Sequence, residues 1–179
     1  PNLIFADCDY DKMLETTVRS SFNNQGQICL CGSRIYVEKS IYPRFKKDFI
    51  ERVNNLKVGN PADPGNNLGA VVSKVHFEKV MACIEKAKEE GGEILCGGKS
   101  VHPEDRCANG YFIEPTVIVT TNPKYTTMET ELFGPILTIF IYEDEQWSAT
   151  LKLIDTTSDY ALTGAIFSQD RYAIEEATM

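Results

Sequence analysis

Cys29 stands within the stretch Phe22-Asn23-Asn24-Gln25-Gly26-Gln27-Ile28-Cys29-Leu30-Cys31-Gly32-Ser33-Arg34. A thiolate is a strong nucleophile, so a cysteine that is held in place and open to solvent can carry covalent catalysis. Gly26 permits a sharp turn that a Cβ would obstruct. The run Ile35-Tyr36-Val37 behind it is β-branched and aromatic and predicts a strand. Turn and strand together would lift the sulfur from the core and fix its position. The same spacing also suits a buried cysteine acting as a small hydrophobe, and on residue types alone both readings stand.

Two further groups invite the same question. Glu131-Leu132-Phe133-Gly134-Pro135 places a carboxylate and an aromatic ring before a rigid Gly-Pro turn, which would aim both side chains at one place. Taken singly, Glu131 reads equally well as an exposed loop carboxylate and Phe133 as core. The six cysteines are scattered without a C-x-x-C pair, and His76 and His102 are the only histidines. That spacing offers no zinc ligand set, so no metal is expected.

Composition narrows the class. With 26 acidic against 18 basic residues the net charge is -8, which argues against nonspecific nucleic-acid partners and anionic membrane surfaces. No apolar run approaches the ~20 residues that span a bilayer. The hydrophobic share of 42% and the length of 179 residues suit one domain with a sizeable core. Pro1-Asn2-Leu3-Ile4-Phe5 reads as a strand interior rather than a leader, and Met179 falls within a helical pattern. Both ends are therefore expected to be cuts within a longer protein, and free thiols in the cytoplasm are the expected setting.

The elements that must position these groups alternate in type. A strand at residues 3–6 leads to Asp9 as a helix cap, and Met13, Leu14, Thr17, Val18 and Phe22 recur at helical spacing. After the Cys29 loop and the strand at 34–37, Ser40 is expected to cap a second helix with Ile41, Phe45, Phe49, Ile50 and Val53 on one face. Ser73 opens a third, with Val75, Phe77, Val80, Met81, Ile84 and Ala87 apolar and a charged outer face. Strands are expected at 94–96, 111–113, 116–119 and 163–167, and residues 99–109 as an irregular polar loop. The nearly all-apolar run 136–142 reads as a strand buried on both faces. Helices are expected over 144–155 and after the cap Asp170. This alternation predicts an α/β fold, a three-layer sheet with helices on both faces and right-handed crossovers. The glycine pairs at 91–92 and 97–98 do not form a dinucleotide-binding fingerprint.

The pattern F-x-x-x-G-Q-x-C-x-x-x-x-R over residues 22–34 resembles the catalytic-cysteine signature of the NAD(P)-dependent aldehyde dehydrogenases. Glu131-Leu132-Phe133-Gly134-Pro135 is similar to that family's E-x-F-G-P motif, and the resemblance runs from Phe5-Ala6-Asp7 to the last helix. It implies that residues 1–179 are one catalytic domain, truncated at both ends and lacking the separate dinucleotide-binding domain. It implies Cys29 as the nucleophile, with its backbone N–H as one oxyanion donor. It implies Glu131 at the nicotinamide-ribose hydroxyls, Phe133 beside the nicotinamide ring, and NAD as cofactor with NADP also possible. A second oxyanion donor, an asparagine, and a glutamate general base are expected outside this chain, so the chain alone is not expected to turn over. The implied partner is a small-molecule aldehyde, and the full-length parent is expected to be a homo-oligomer.

The substrate signal is mixed. Up to about residue 109 the chain resembles 2-aminomuconic and 2-hydroxymuconic semialdehyde dehydrogenases. From Gly110 on, stretches such as Tyr111-Phe112-Ile113-Glu114-Pro115 and Asp155-Thr156-Thr157-Ser158 resemble L-glutamate γ-semialdehyde (1-pyrroline-5-carboxylate) dehydrogenases. That second group usually carries a serine after the catalytic cysteine, where Leu30 stands here. The expectation is a carboxylate-bearing semialdehyde of the muconic type, with the glutamate type as the alternative. An inactive structural fragment is the competing reading from another class.

Overall fold

The computed structural model describes residues 1–160 and 162–178. The expectation that the last helix runs into Met179 therefore falls on a residue outside them. In chain order the elements are β1 (Asn2–Ile4), α1 (Tyr10–Phe22), β2 (Arg34–Glu38), α2 (Tyr42–Asn54), α3 (Lys74–Glu89), β3 (Glu93–Cys96), β4 (Ser100–Val101), β5 (Phe112–Ile113), β6 (Thr116–Thr120), α4 (Thr126–Glu129), β7 (Ile136–Tyr142), α5 (Trp147–Thr156), β8 (Ala165–Phe167) and α6 (Arg171–Thr178). Six strands form one sheet in the order β3-β6-β7-β2-β1-β8, and β4 pairs with β5 in a separate ribbon. All neighbours in the main sheet are parallel except β3 and β6.

Period-two alternation divides the sheet between two cores. Ile35, Val37, Val117, Val119, Leu137 and Ile139 pack with Met13, Leu14, Phe45 and Phe49 of α1 and α2. Tyr36, Ile118 and Ile136 face the other way, with Val80, Ile84 and Ala87 of α3. Apolar side chains thus leave both faces of β2, β6 and β7, which is why those strands read as continuous apolar runs. Thr138 is the polar exception on β7. It is buried, and its hydroxyl is satisfied by Thr127 at 2.6 Å.

The helix caps follow the sequence with one correction. Asp9 Oδ1 accepts from the Lys12 N–H (3.4 Å), and Ser73 Oγ accepts from the His76 N–H (3.2 Å). Ser40 does not cap α2. That helix starts at Tyr42 with Pro43 in its first turn, where a fixed φ and a missing N–H cost nothing. The Ser40 N–H instead donates to Asp144 Oδ1 at 3.0 Å. Val75 also departs from expectation, being 77% exposed. It lies five residues before Val80, about 140° around the helix from the buried stripe. Within residues 99–109, Ser100–Val101 forms β4, whose partner β5 supplies the backbone pairing that a loop would lack. The final strand is shorter than expected, covering Ala165–Phe167.

Candidate active site

Four chain segments converge at one end of the sheet. Pro1 precedes β1, residues 29–33 precede β2, residues 128–133 run from the end of α4 towards β7, and residues 158–160 and 162–163 precede β8. These four strands are mutually parallel. Their leading segments line a cleft of ≈ 340 Å³ that includes Cys29, Cys31, Arg34, Glu131 and Phe133. The cleft therefore lies at the amino ends of the strands, whereas open α/β sheets usually bind ligands at the carboxyl ends. The crossover helices run back against the strands. The carboxyl ends of α1 and α5 thus lead into cleft-lining segments, and their dipoles present partial negative charge there.

The turn before Cys29 is left-handed over three residues. Asn24 and Gln25 have φ of 50° and 57°, and Gly26 has φ of 71°. For a residue with a Cβ this conformation costs roughly 1–2 kcal/mol. Local hydrogen bonds hold it: the Gln27 N–H donates to Asn24 O (3.0 Å), and Asn24 Nδ2 donates to Gln27 O (3.3 Å). The expected turn at Gly26 is present, and Cys29 is exposed. The Cys29 N–H takes part in none of the hydrogen bonds among the described residues, whereas the Cys31 N–H closes a turn onto Ile28 O (2.9 Å). An unengaged N–H beside an exposed sulfur is the arrangement an oxyanion donor needs.

Four of the other five thiols are shifted by burial. Burial raises the Cys31 and Cys83 thiols above the usual range, and it pushes Cys8 and Cys96 up to about 11. Those four are poor nucleophiles near neutral pH.

Glu131 and Phe133 arrive from the segment before β7, and both line the same cleft as Cys29. Phe133 is 38% exposed, so it is not a core residue, and its φ is 53°. Its carbonyl oxygen meets His76 Nε2 at 2.5 Å. The next residue, Gly134, packs on Val80, where a Cβ would come within 2.8 Å of Val80 Cγ2. His76 and Val80 are four apart on α3 and so share one face. Just before α3, the Val72 N–H donates to Gln27 Oε1 at 2.9 Å. The amino end of α3 thus holds both the cysteine loop and the Phe133 turn. Sequence reasoning assigned His76 and Val72 no part in the site. Their partners lie 57 and 45 residues away, and no local pattern signals them.

Arg34 ends the cysteine pattern. It is 8% exposed, lines the cleft, and donates from Nη1 to Met128 O at 3.4 Å. Among the described residues no grouping of side chains suits a metal ion, and no helix is long and apolar enough to cross a membrane.

Comparison with known proteins adds to this geometry. The model of the aldehyde dehydrogenase family matches residues 1–179. The chain is 42% identical over 170 residues to the mitochondrial delta-1-pyrroline-5-carboxylate dehydrogenase of Dictyostelium discoideum, covering 94% of this chain and 30% of that protein. It is 39% identical over 175 residues to the 2-aminomuconic semialdehyde dehydrogenase of Danio rerio, covering 95% of this chain and 35% of that one. In three dimensions it resembles betaine aldehyde dehydrogenase from Staphylococcus aureus in complex with NAD+. The TM-score there is 0.89 at 35% identity, over 99% of this chain and 34% of that one. The chain spans about a third of the length of the curated relatives it matches.

Proposed function

The chain belongs to the aldehyde dehydrogenase family, and from that premise we propose that it is the catalytic-domain portion of an enzyme oxidising a carboxylate-bearing semialdehyde to the acid with NAD(P). The observation that carries this reading is the shared cleft: an exposed Cys29, an exposed carboxylate at Glu131 and a half-exposed ring at Phe133 line one space.

In this reading the Cys29 thiolate adds to the aldehyde carbon, forming a C–S bond, and the carbonyl oxygen becomes an oxyanion. The Cys29 N–H donates to that oxyanion. Glu131 accepts hydrogen bonds from ribose hydroxyls, and the Phe133 ring packs beside the nicotinamide. Those residues fit the nicotinamide end of the cofactor, with an acceptor and an aromatic face on one short segment. NAD(P), when bound, supplies the hydride acceptor. The acyl group left on Cys29 is a thioester that water must hydrolyse. The glutamate base and the asparagine donor that the family resemblance implies match no residue of this chain. Residues 1–179 are accordingly read as one catalytic domain that needs further parts to turn over, in a parent that is a homo-oligomer with reduced thiols and a cytoplasmic setting. Several of its relatives are named mitochondrial.

The muconic type is preferred to the glutamate type because Leu30, 64% exposed beside Cys29, cannot donate to a carboxylate. The glutamate type is the second reading, supported by the identity to pyrroline-5-carboxylate dehydrogenase. The test is NADH absorbance from a full-length protein containing this chain, with either semialdehyde. Formation of NADH that Cys29→Ala abolishes is expected, and NADH formation that survives the substitution would sink the assignment.

A further inference from the structure

We propose that His76 is a positioning residue for the oxidation: by holding the Phe133 carbonyl it sets where the Phe133 ring stands in the cleft relative to the Cys29 loop. This deepens the reading of Cys29 and Phe133 given above and rests on it.

Phe133 needs holding. Its φ of 53° is left-handed, a conformation that a side chain disfavours. Its ring is part-exposed in the cleft rather than locked in a core. Strained backbone of this kind persists only where the surroundings over-determine it. The flanking residues supply part of that restraint, since Leu132 is buried and Gly134 packs on both Val80 and Gly26. At Phe133 itself, the hydrogen bonds among the described residues leave one polar hold, His76 Nε2 on its carbonyl oxygen at 2.5 Å. A carbonyl oxygen only accepts, so the imidazole donates and its hydrogen sits on Nε2. His76 is fixed in turn. It lies in the first turn of α3, where its own N–H donates to the cap Ser73 Oγ at 3.2 Å.

The same helix end reaches the other side of the cleft. Val72, just before the cap, donates its N–H to Gln27 Oε1 at 2.9 Å, two residues before Cys29. One element thus serves as a common reference for the loop that bears the sulfur and the turn that bears the ring. Hydride transfer requires a carbon held on Cys29 to face a ring packed on Phe133 closely, and a small misplacement there is costly in rate. His76 governs one side of that distance. The bond between Gln27 and Val72, which governs the other, does not involve it.

The test is made in a full-length protein containing this chain, as wild type, His76→Gln and His76→Leu. Glutamine keeps a side-chain N–H donor and leucine has none. NADH affinity is read by fluorescence titration, kcat and KM by steady-state kinetics with cofactor and semialdehyde, and the reactivity of Cys29 by its burst with p-nitrophenyl acetate, which needs no cofactor. His76→Leu should weaken NADH binding roughly threefold to tenfold, the worth of one hydrogen bond. It should raise the cofactor KM and lower kcat, and leave the ester burst and the semialdehyde KM as in the wild type. His76→Gln should keep most of the NADH affinity. A merely structural role would instead move the burst, the NADH affinity and the melting temperature together. Should His76→Leu not fold, His76→Asn, an amide too short to reach the Phe133 carbonyl, takes its place. Unchanged NADH binding in the folded variant that lacks the donor overturns the proposal, and so does equal loss in His76→Gln or a burst that falls in step with NADH affinity. A wild type that binds NADH but gives no burst faults the Cys29 reading alone, and the NADH titrations still decide the part of His76.

Discussion

Gly26 and Gly134 meet backbone to backbone, and a Cβ on Gly26 would fall on the Gly134 carbonyl oxygen. The turn that delivers Cys29 and the turn that follows Phe133 are thus pressed together where neither can carry a side chain. Gly26 also has φ of 71°, which strains any other residue. Gly26→Ala should therefore destabilise the chain by on the order of 2–4 kcal/mol in denaturant unfolding. It should also change the alkylation rate of Cys29 in whatever fraction stays folded. A variant of unchanged stability and unchanged Cys29 reactivity would show that this contact does not position the loop.

Glu131 is exposed and belongs to no ion pair among the described residues, so its charge contributes little to folding. Glu131→Gln should leave the unfolding midpoint of this chain essentially unmoved. In a full-length protein containing the chain it should impair hydride transfer or cofactor release. A large loss of stability with unaltered kinetics would assign the residue a structural part instead.

Leu30 bears on the choice of substrate. In a full-length protein, Leu30→Ser should raise kcat/KM for glutamate γ-semialdehyde relative to a muconic semialdehyde. A hydroxyl–carboxylate hydrogen bond is worth about 1.5–3 kcal/mol, which is roughly tenfold or more in the ratio. An unchanged ratio would remove the ground for preferring the muconic type.

Much of this was legible in the residues because the determinants are local. Gly26 before Cys29, the β-branched run after it and the Gly134-Pro135 turn each act over a few positions, and the structure puts the turn, the exposed sulfur and the exposed Phe133 where those patterns imply. The apolar alternation of β2, β6 and β7 carried the sheet in the same way. What escaped depends on distant partners. Asp144, 104 residues on, accepts the Ser40 N–H, a contact that no local pattern signals. Met128 lies 94 residues from Arg34, and Phe133 lies 57 from His76. A histidine on a charged helix and an arginine at a strand start carry no local mark of those contacts.

Glu38 gives a pH prediction. Burial, and then the carboxylates of Asp144 and Asp7, raise its pKa above the ordinary glutamate value, while the hydrogen bond from the Ala6 N–H works the other way. A carboxyl whose pKa is higher in the folded state holds more protons there than in the unfolded chain. Its contribution is thus fully present below the unfolded pKa and is lost as pH rises through the folded one. Glu38→Gln should gain stability relative to the wild-type chain as pH rises above the ordinary glutamate pKa of about 4.3, with the amide oxygen still able to accept from Ala6. Urea unfolding at several pH values reads this difference. A gap that shrinks as pH rises would contradict the assigned direction.

The central claim is that Cys29 is a nucleophile able to hold an acyl group, and an activated ester tests it without a cofactor. The chain is mixed with p-nitrophenyl acetate near neutral pH, release of p-nitrophenolate is followed, and the acetyl group is located by peptide mapping. The account predicts a burst of about one equivalent with the acetyl group on Cys29. Slow turnover should follow, because no residue of this chain matches the implied general base, and the burst should be absent in Cys29→Ala. A burst that persists in Cys29→Ala, or an acetyl group found on Cys31, Cys83 or Cys96 in place of Cys29, would contradict it.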